Sequence, residues 1–401
     1  MTGVVVIGAG QAGASLVAKL RDDGYQGAIT LVGDEPVPPY QRPPLSKKYL
    51  LGEMSAERLY LRPESFYSGA GIDLRLGMPV TGIDPVARNV QLGEDRMEYE
   101  NLVLATGSVP RRLPAAIGGD LEGVHVVRTL KDVDAMSPGF VPGARLLIVG
   151  GGYIGLEAAA VAAARGMSVT LVEMAERILG RVAAPETAAY FRTLHQRHGV
   201  DLREGVGLAQ LSGNGRVRAA RLTDGTEMAV EMVIAGIGIV PDTRLAEAAG
   251  LDIDNGIAVD PQGRSSDPAI WAVGDCASFP HDGARLRLES VPNAIDMAEC
   301  VAGNIMGAGT PYVPRPWFWS DQYDVKLQIA GLNTGYDRIV TRDSGPATSV
   351  WYYRGNRLLA VDAMNDPRAY MVGKRLIEAG KTADARVVTD AATDLKSLLT
   401  S

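Results

Sequence analysis

Short apolar runs that alternate with helical patterns organise the first part of the chain. Val4–Ile7 is followed at once by a Gly-x-Gly-x-x-Gly turn and then by apolar positions at helical spacing. A second apolar run covers Ile29–Val32, and a third, Leu102–Thr106, ends at a glycine. Apolar runs of this length, separated by a helical pattern, are typical of parallel strands with crossover helices. The pattern therefore predicts an α/β domain that begins with a strand, a tight turn and a helix.

The same pattern returns in the middle of the chain. Leu146–Val149 precedes a second Gly-x-Gly-x-x-Gly turn, an alanine-rich stretch follows, and Ser168–Val172 forms the next apolar run. Met232–Ile239 then parallels the earlier run that ends in Thr-Gly. Glu157 and Arg165 interrupt the alanine-rich stretch, which we interpret as a buried crossover helix. The second unit is thus predicted to be an internal copy of the first.

Turn residues and short apolar runs define the remaining elements. Asn-Gly and Asp-Gly pairs at 214–215 and 224–225 predict hairpin turns. Further short strands are predicted at 255–260 and 270–275, and a helix from about Ala294 to Met306. In the last unit we predict a hairpin around 354–356, a helix over 367–379 and a loosely held tail after Thr389.

The first glycine turn has the spacing of a dinucleotide-binding fingerprint. Gly8 permits the sharp turn, Gly10 lets the backbone approach a pyrophosphate, and Gly13 allows close packing of the helix on the strand. The phosphates would lie at the helix N-terminus, where amide groups and the helix dipole favour anions. Asp34 lies about 20 residues after Gly13, the spacing of a carboxylate that binds a ribose hydroxyl. A turn without a ligand is the alternative for such a motif alone.

The second turn repeats this arrangement with Gly150, Gly152 and Gly155. Glu173 ends the following strand and supplies the acidic residue. A carboxylate at this position accepts a hydrogen bond from a 2′-hydroxyl and repels a 2′-phosphate, so it favours NADH over NADPH. Two complete fingerprints in one chain predict two bound dinucleotides.

Charge, cysteine content and hydropathy narrow the possible functions. The net charge of −7 argues against nucleic-acid binding as the main activity. Cys276 and Cys300 are the only cysteines and form neither a CxxC pair nor a zinc-ligand cluster, which favours a reducing, cytoplasmic location. The first strand follows Met1 so closely that we expect no signal peptide. No apolar run reaches the roughly 18–20 residues that span a bilayer, so we expect no membrane association.

The pattern also gives domain boundaries. We predict that residues 1–110 form the first part of one dinucleotide-binding domain and residues 111–240 the second such domain. Residues 241–312 return to the first domain, and residues 313–401, which follow a Gly-Thr-Pro break, form a C-terminal domain. The predicted fold class is α/β, with two Rossmann-like dinucleotide-binding domains and a C-terminal α+β domain.

Five stretches together resemble the FAD-dependent, NADH-using ferredoxin reductases of bacterial oxygenase systems, and the resemblance covers the whole chain. These flavoproteins share a glutathione-reductase-like architecture. The stretches are RPPLSKKYL at 42–50, GGGYIGLEAAA at 150–160, AVGDCASF at 272–279, ESVPNA at 289–294 and PWFWSDQYD at 316–324.

The resemblance implies that the first fingerprint binds FAD and the second binds NADH. The residues that it places at FAD are Ala12, Asp34, Lys47, Val80, Arg128, Asp275 and Val291. Arg42 would help Lys47 and Arg128 to offset phosphate or reduced-flavin charge. The resemblance also implies that Lys47 pairs with Glu157 beside the flavin.

Several of these residues have a purely structural alternative. Val80 alone would be an ordinary core valine, Asp275 a turn former and Arg128 a surface arginine. Glu157 could stabilise the start of its helix without a partner. His195 and His198, three residues apart, have no nearby carboxylate cluster, so we interpret them as surface helix residues and expect no metal site.

The missing cysteine pair points to the reaction type. Disulfide reductases of this fold carry a redox cysteine pair in the first helical region, where this chain has Pro43, Pro44, Leu45 and Ser46. Electrons on the flavin would therefore leave for an external one-electron carrier. The resemblance implies an NADH-dependent reductase of a two-iron two-sulfur ferredoxin that serves a haem monooxygenase. Rubredoxin reductase is the nearest alternative, and a redox-sensing protein like the apoptosis-inducing flavoproteins is another.

Overall fold

The computed structural model of the chain describes residues 3–399 and alternates strands and helices along its length. In chain order the strands are β1 Val4–Ile7, β2 Ile29–Val32, β3 Ile72–Arg75, β4 Val80–Asp84, β5 Asn89–Leu92, β6 Asp95–Glu98, β7 Asn101–Leu104, β8 Ser108–Pro110, β9 Val124–His125, β10 Arg145–Val149, β11 Ser168–Glu173, β12 Asp201–Glu204, β13 Leu208–Asn214, β14 Arg216–Leu222, β15 Glu227–Ala229, β16 Met232–Ala235, β17 Ile239–Pro241, β18 Ile257–Ala258, β19 Ile270–Ala272, β20 Ala277–His281, β21 Ala284–Leu286, β22 Trp317–Gln322, β23 Val325–Gly331, β24 Arg338–Asp343, β25 Thr348–Arg354 and β26 Arg357–Met364. The α-helices are α1 Gln11–Asp22, α2 Glu64–Gly69, α3 Leu130–Met136, α4 Tyr153–Ala164, α5 Pro185–Arg197, α6 Arg244–Ala248, α7 Val291–Ile305, α8 Pro367–Glu378 and α9 Ala385–Thr389.

Contacts group these elements into two compact units. The first contains the chain up to Arg42, Ala56–Val109 and Ile239–Pro316, and the second contains Pro43–Ser55, Pro110–Gly238 and the chain from Trp317 onward. The segment Pro43–Ser55 differs from the sequence-based division, which assigned it to the first domain. It joins the second unit because its side chains bond to α3 and α4. The functional boundaries of the predicted domains stay a prediction.

The first unit is built on a five-stranded parallel sheet in the order β19-β7-β1-β2-β3. The central strand β1 is buried throughout and pairs with β2 on one side and β7 on the other. Helices α1 and α7 pack against each other within the core of this unit. The first unit also contains a three-stranded antiparallel sheet, β4-β5-β6. The second unit repeats this combination of a parallel and an antiparallel sheet.

The second unit contains a parallel sheet of the same design, in the order β12-β11-β10-β16-β9. Its central strand β10 leads into the buried helix α4, as the alanine-rich pattern predicts. The antiparallel sheet β13-β14-β15 corresponds to β4-β5-β6, and its two hairpins turn at the predicted Asn-Gly and Asp-Gly pairs. The predicted internal repeat is therefore present in the structure.

The C-terminal part of the second unit is a five-stranded antiparallel sheet, β22-β23-β26-β25-β24, covered by α8. Asp366 caps α8 by accepting a hydrogen bond from the Ala369 amide, and Pro367 occupies the first turn. A Cβ on Gly373 would lie 2.5 Å from Val361 Cγ2, so glycine is what permits α8 to lie this close to β26. The predicted hairpin and helix both occur here.

The start of α7 and the end of the chain also differ from the sequence-based predictions. Helix α7 begins at Val291, three residues before the predicted start, because the Ser290 hydroxyl accepts a hydrogen bond from the Asn293 amide. The loosely held tail is wrong for the described residues after Thr389. Leu395 and Leu398 are buried, and the buried Arg342 donates hydrogen bonds to four carbonyl oxygens between residues 388 and 393.

Candidate functional site

The first glycine turn leaves space for a ligand at one glycine and none at the other two. Gly8 has a φ of 115°, and a Cβ there would overlap the carbonyl oxygen of Ala105. A Cβ on Gly13 would overlap the carbonyl oxygen of Gly8. Around Gly10 no atom lies within 4 Å of a Cβ position, and no side chain caps α1. The first amide groups of α1 therefore fit a pyrophosphate.

The loop that contains the Gly-Asp motif lies beside this turn. A Cβ on Gly274 would lie 3.1 Å from the Cβ of Ala12, so the loop after β19 contacts the first turn of α1. Asp275 accepts a hydrogen bond from the Ser108 hydroxyl at 2.9 Å. Ala12 and Asp275 are thus brought together at the carboxyl ends of the parallel strands, where open α/β sheets bind their ligands.

The acidic end of β2 carries two carboxylates with different surroundings. Asp34 is exposed, as a residue that binds a ribose hydroxyl would need to be. Glu35 accepts a hydrogen bond from the Tyr40 hydroxyl at 2.6 Å and pairs with Arg42 at 2.7 Å. The guanidinium of Arg42 therefore already compensates a carboxylate of its own unit. A role at a phosphate would require Arg42 to share or leave this pair.

The other predicted FAD contacts lie at the ends of regular elements. Val80 begins β4 and Val291 begins α7, and both are half-buried. Arg128 is half-buried in the second unit, next to Thr129, which caps α3. Val80 packs against the apolar core cluster that contains Ala12, and α7, which Val291 begins, packs against α1.

The second glycine turn repeats the geometry of the first. Gly150 has a φ of 110°, and a Cβ there would overlap the carbonyl oxygen of Gly236. A Cβ on Gly155 would overlap the carbonyl oxygen of Gly150, whereas the space around Gly152 is open and no side chain caps α4. The second unit thus has its own place for a pyrophosphate at a helix N-terminus.

Glu173 is fixed beside this second turn. One carboxylate oxygen accepts a hydrogen bond from the Gly151 amide at 2.7 Å, and the other accepts from the Ala175 amide at 2.8 Å. These bonds orient the carboxylate at the end of β11. It therefore lies at the edge of the cradle where a ribose would be recognised.

The predicted pair between Lys47 and Glu157 is present, and it is well shielded from solvent. The Lys47 Nζ lies 2.8 Å from Glu157 Oε2, and the two side chains are 16% and 3% exposed. The Ser46 hydroxyl donates to the same oxygen at 2.6 Å. Ser320, the residue after Trp319, donates its hydroxyl hydrogen to Oε1 at 2.7 Å. Three donors therefore converge on this buried carboxylate. A glutamate that only stabilised the start of its helix would not need these partners.

The prediction that His195 lies on the surface is wrong, although His198 is exposed. His195 is fully buried and lies 2.8 Å from Gln322, which in turn contacts Ser320 at 3.1 Å. Burial lowers the pKa of His195 to about 4. One feature of the sequence could have indicated the cluster of His195, Gln322 and Ser320. Ser320 and Gln322 are polar residues two apart in a strand, so both face the same side.

A second buried polar cluster was also missed. Asp362 accepts hydrogen bonds from the hydroxyl groups of Thr187 and Tyr352, and burial raises its pKa to about 6. Tyr153, which follows the open glycine of the second turn, packs against Phe318 with ring centroids 4.8 Å apart and ring planes tilted by 38°. Its hydroxyl and Asp362 Oδ1 are buried without a hydrogen-bond partner among the described residues.

Comparison with known proteins gives the family. A family model described as pyridine nucleotide-disulphide oxidoreductase matches residues 2–298, and a second model, described as reductase C-terminal, matches residues 317–399.

The chain belongs to the pyridine nucleotide-disulphide oxidoreductase family.

Similar members of this family are electron-transfer reductases. The chain is 42% identical to putidaredoxin reductase CamA of Pseudomonas putida over 99% of this chain and 96% of the relative. It is 41% identical to rhodocoxin reductase of Rhodococcus erythropolis over 98% and 93% of the two chains. A crystal structure of the covalent putidaredoxin reductase–putidaredoxin complex matches with a TM-score of 0.96 at 41% identity, covering 100% of this chain and 98% of that chain.

These findings confirm the predicted resemblance and fold class. Two Rossmann-like dinucleotide-binding domains with a C-terminal α+β domain are the architecture of this family member. The roles of the individual site residues stay predictions.

The cysteines of this chain do not suit the disulphide reduction that the family's name describes. Cys276 and Cys300 are both free, and burial raises the pKa of the fully buried Cys276 thiol. The segment 42–50 contains no cysteine. A dithiol relay between a flavin and a disulfide substrate therefore has no residues to carry it in this oxidoreductase.

Residues 3–399 contain neither a metal-ligand cluster nor a helix that could span a membrane. No group of three or more His, Cys, Asp or Glu side chains there could hold a metal ion. Within the same residues, every helix is too short or too polar to span a bilayer.

Proposed function

We propose that this protein is an FAD-dependent ferredoxin–NAD reductase that serves a haem monooxygenase. It takes a hydride from NADH onto FAD and passes single electrons to a two-iron two-sulfur ferredoxin. The observation that carries the proposal is the pair of open glycine turns in a chain without a cysteine pair. Each turn suits one dinucleotide pyrophosphate, and without a thiol acceptor the electrons leave to an external carrier.

In this proposal FAD is held mainly by the first fingerprint. The proposed residues are Gly8, Gly10, Ala12, Gly13, Asp34, Arg42, Lys47, Val80, Arg128, Asp275 and Val291. The glycine turn receives the pyrophosphate, Asp34 the adenosine ribose and Asp275 a ribityl hydroxyl. The cationic side chains offset phosphate or reduced-flavin charge. Purified protein should be yellow and should release FAD in acid, and colourless protein that cannot be reconstituted would contradict the assignment.

Lys47 and Glu157 are proposed to act as a pair at the flavin. Lys47 supplies a positive charge, and Glu157 holds that charge in place through the 2.8 Å contact. Because both side chains are largely buried, their mutual orientation is fixed more firmly than that of an exposed ion pair.

NADH is proposed to bind at Gly150, Gly152, Gly155 and Glu173. The Glu173 carboxylate is already oriented by two amide groups, so it accepts from a 2′-hydroxyl and repels a 2′-phosphate. Glu173→Gln should therefore erode the preference for NADH, measured as the ratio of kcat/KM for NADH and NADPH. Glu176→Gln, three residues later, provides a control for loss of one negative charge nearby. Equal kcat/KM for both nucleotides in the unmodified protein would contradict this assignment.

The alternatives differ in the electron acceptor. A rubredoxin-NAD(+) reductase of Pseudomonas putida is 38% identical over 91% of this chain and 96% of the relative, so rubredoxin is the nearest other carrier. An interaction role like that of the apoptosis-inducing flavoproteins is less compatible with a net charge of −7, because such proteins bind nucleic acid. NADH-driven reduction of an added ferredoxin, compared with a rubredoxin at equal concentration, separates these possibilities.

The two free cysteines also favour a cytoplasmic location.

A further inference from the structure

A chain of buried hydrogen bonds extends from Glu157 through the C-terminal sheet. Ser320 Oγ lies 2.7 Å from Glu157 Oε1, and Gln322 Nε2 lies 3.1 Å from Ser320 Oγ. His195 Nε2 lies 2.8 Å from Gln322 Oε1, and the Tyr323 hydroxyl lies 3.3 Å from His195 Nδ1. The chain therefore connects α4, β22 and α5, together with the turn after β22, within the second unit.

The chemistry of the groups gives this chain a single direction. An ionised carboxylate can only accept, so Ser320 donates its hydroxyl hydrogen to Glu157 and is left to accept from the Gln322 amide nitrogen. The Gln322 carbonyl oxygen then accepts from His195, which must carry a hydrogen on Nε2. In the neutral ring Nδ1 is an acceptor, and the Tyr323 hydroxyl donates to it. Every hydrogen bond thus points toward Glu157.

Burial makes each link in the chain costly to lose. Ser320, Gln322 and His195 have no exposed surface, and Glu157, counted as a whole residue, is 2% exposed. A buried polar group without a partner loses the solvation that it has in the unfolded chain. Because the pKa of His195 is lowered to about 4, its ring is neutral at physiological pH and the direction of the chain is kept.

The outer end of the chain is also held in a constrained geometry. Tyr323 has a φ of 55°, a left-handed conformation that is uncommon for an aromatic residue. Its ring stacks on the exposed His198 at a centroid distance of 3.7 Å. A strained residue is retained where its surroundings determine it strongly, and here those surroundings are His195 of α5 and His198, which follows that helix.

We propose that Ser320, Gln322 and His195 are positioning residues that hold Glu157 as the carboxylate partner of Lys47. The inference rests on the proposed function of that pair at the flavin. Oε2 of Glu157 receives both Ser46 and Lys47, whereas the C-terminal sheet supplies the donor at Oε1. When that donor is removed, the carboxylate is free to turn, and Lys47 loses its fixed counter-charge.

The test compares two buried serines of the same sheet in the FAD-loaded protein. Ser320→Ala removes the donor to Glu157, and Ser349→Ala is its matched control. Ser349 is equally buried and donates to the carboxylate of Asp366 at 3.1 Å. We expect a similar fall in Tm for both variants. Only Ser320→Ala should slow single-turnover flavin reduction by NADH, by about tenfold, the order of effect of one hydrogen bond to a charged group.

Further variants distinguish the inference from the proposed function. Ser320→Thr keeps the hydroxyl and should restore the rate to within about threefold of the unmodified protein, in keeping with a role for the donor rather than for packing. If Ser320→Ala and Ser349→Ala reduce the flavin equally fast while Lys47→Ala is slow, the positioning role is wrong and the function of the pair stands. If Lys47→Ala is not slow, the proposed function of the pair fails and the positioning role fails with it.

A second measurement does not depend on turnover. The protein contains four histidines, so nitrogen-15 NMR of labelled imidazole rings can resolve each one. We expect His195 in the neutral form with its hydrogen on Nε2, and we expect its signal to move in Gln322→Leu. A hydrogen on Nδ1 instead would leave Gln322 unable to accept, and this result would overturn the proposed direction of the chain.

Discussion

At the scale of single residues, the contact between Lys47 and Glu157 differs from a surface ion pair. Two serines also donate to the carboxylate, and the lysine lies at the end of a proline-rich segment whose backbone is stiff. Removal of either charged partner leaves the other buried and uncompensated, which is more damaging than loss of an exposed pair. The pair should therefore behave as a unit.

Lys47→Ala should destabilise the protein by about 3 kcal/mol and slow flavin reduction, because Glu157 keeps its charge without its cation. The double variant Lys47→Met/Glu157→Gln should lose less stability than the sum of the losses in Lys47→Met alone and Glu157→Gln alone. In the double variant no buried charge is left without its partner. Chemical denaturation and stopped-flow reduction by NADH provide the two measurements. The exposed neighbour Lys48 offers the matched control as Lys48→Ala. Additive single and double changes would contradict a coupled pair.

The buried ring of His195 makes the free energy of unfolding depend on pH. Its pKa is about 4 in the folded protein and about 6.5 when unfolded, so between these values the unfolded chain binds more protons. Stability contributed by the neutral ring is therefore lost as the pH falls below about 6.5. Asp362 acts in the opposite sense, because burial raises its pKa to about 6 and the folded state takes up the proton first. The two effects partly cancel between pH 4 and 6 in the unmodified protein.

His195→Gln should reveal this balance. The variant keeps a donor for Gln322 but lacks the titrating ring, so its destabilisation relative to the unmodified protein should shrink by about 2 kcal/mol from pH 7.5 to pH 5. The free energy of unfolding, measured by chemical denaturation at both pH values, checks the prediction. The same replacement at the exposed His198 is the control. An unchanged difference at the two pH values would show that His195 titrates alike in the folded and unfolded states.

At the scale of elements, local signals determined what the sequence could predict. The glycine turns, the Asn-Gly and Asp-Gly hairpins and α8 all depend on residues within a few positions, and each occurs as predicted. The start of α7 was missed by three residues, although Ser290 is a local cap that could have been recognised. His195 was misassigned for a different reason. Its partner Gln322 lies 127 positions away in the sequence, so no local pattern could reveal the contact.

The C-terminal segment is the second long-range feature, and it depends on Arg342. This buried guanidinium donates to carbonyl oxygens of Val388, Asp390, Ala391 and Thr393. Arg342→Met preserves much of the side-chain volume but leaves those carbonyl groups without their donor. We expect a loss of about 2–4 kcal/mol in the free energy of unfolding, and faster hydrogen exchange in residues 388–399.

Arg386→Met is the matched control for that change. Arg386 lies close in sequence to the same segment, but its side chain is 96% exposed. Replacement of such a residue should change stability by no more than about 0.5 kcal/mol. Equal stability of the two variants would mean that the segment is held by Leu395 and Leu398 rather than by Arg342.

At the scale of the whole molecule, charge is distributed unevenly along the chain. Residues 313–401 contain 12 Lys and Arg against 10 Asp and Glu, a net charge of +2. Because the whole chain carries −7, the rest carries −9. Ferredoxins of such systems are small and acidic, so long-range attraction requires a locally positive surface. The C-terminal region, whose net charge is positive, is therefore a candidate for that surface.

Two tryptophans and an arginine make this region a candidate docking surface. Trp317 and Trp319 occupy alternate positions of β22 and stack at a centroid distance of 5.5 Å, and Arg315, just before them in the sequence, is exposed. Aromatic residues and arginine are enriched at protein–protein contact sites, although Trp317 also packs against the core of its own unit. Electrostatic steering would distinguish docking from packing, because it raises the association rate and weakens with salt.

We therefore expect ferredoxin reduction to slow as ionic strength rises, whereas reduction of a small neutral quinone should change little. Arg315→Glu should raise the KM for ferredoxin more than it lowers the rate of flavin reduction by NADH, since the arginine would act on encounter and not on hydride transfer. Lys381→Glu makes the same charge change elsewhere in the region and is the control. A ferredoxin rate that is independent of salt, under conditions where association limits turnover, would exclude electrostatic docking and leave the partner surface to apolar contacts such as those of the tryptophans.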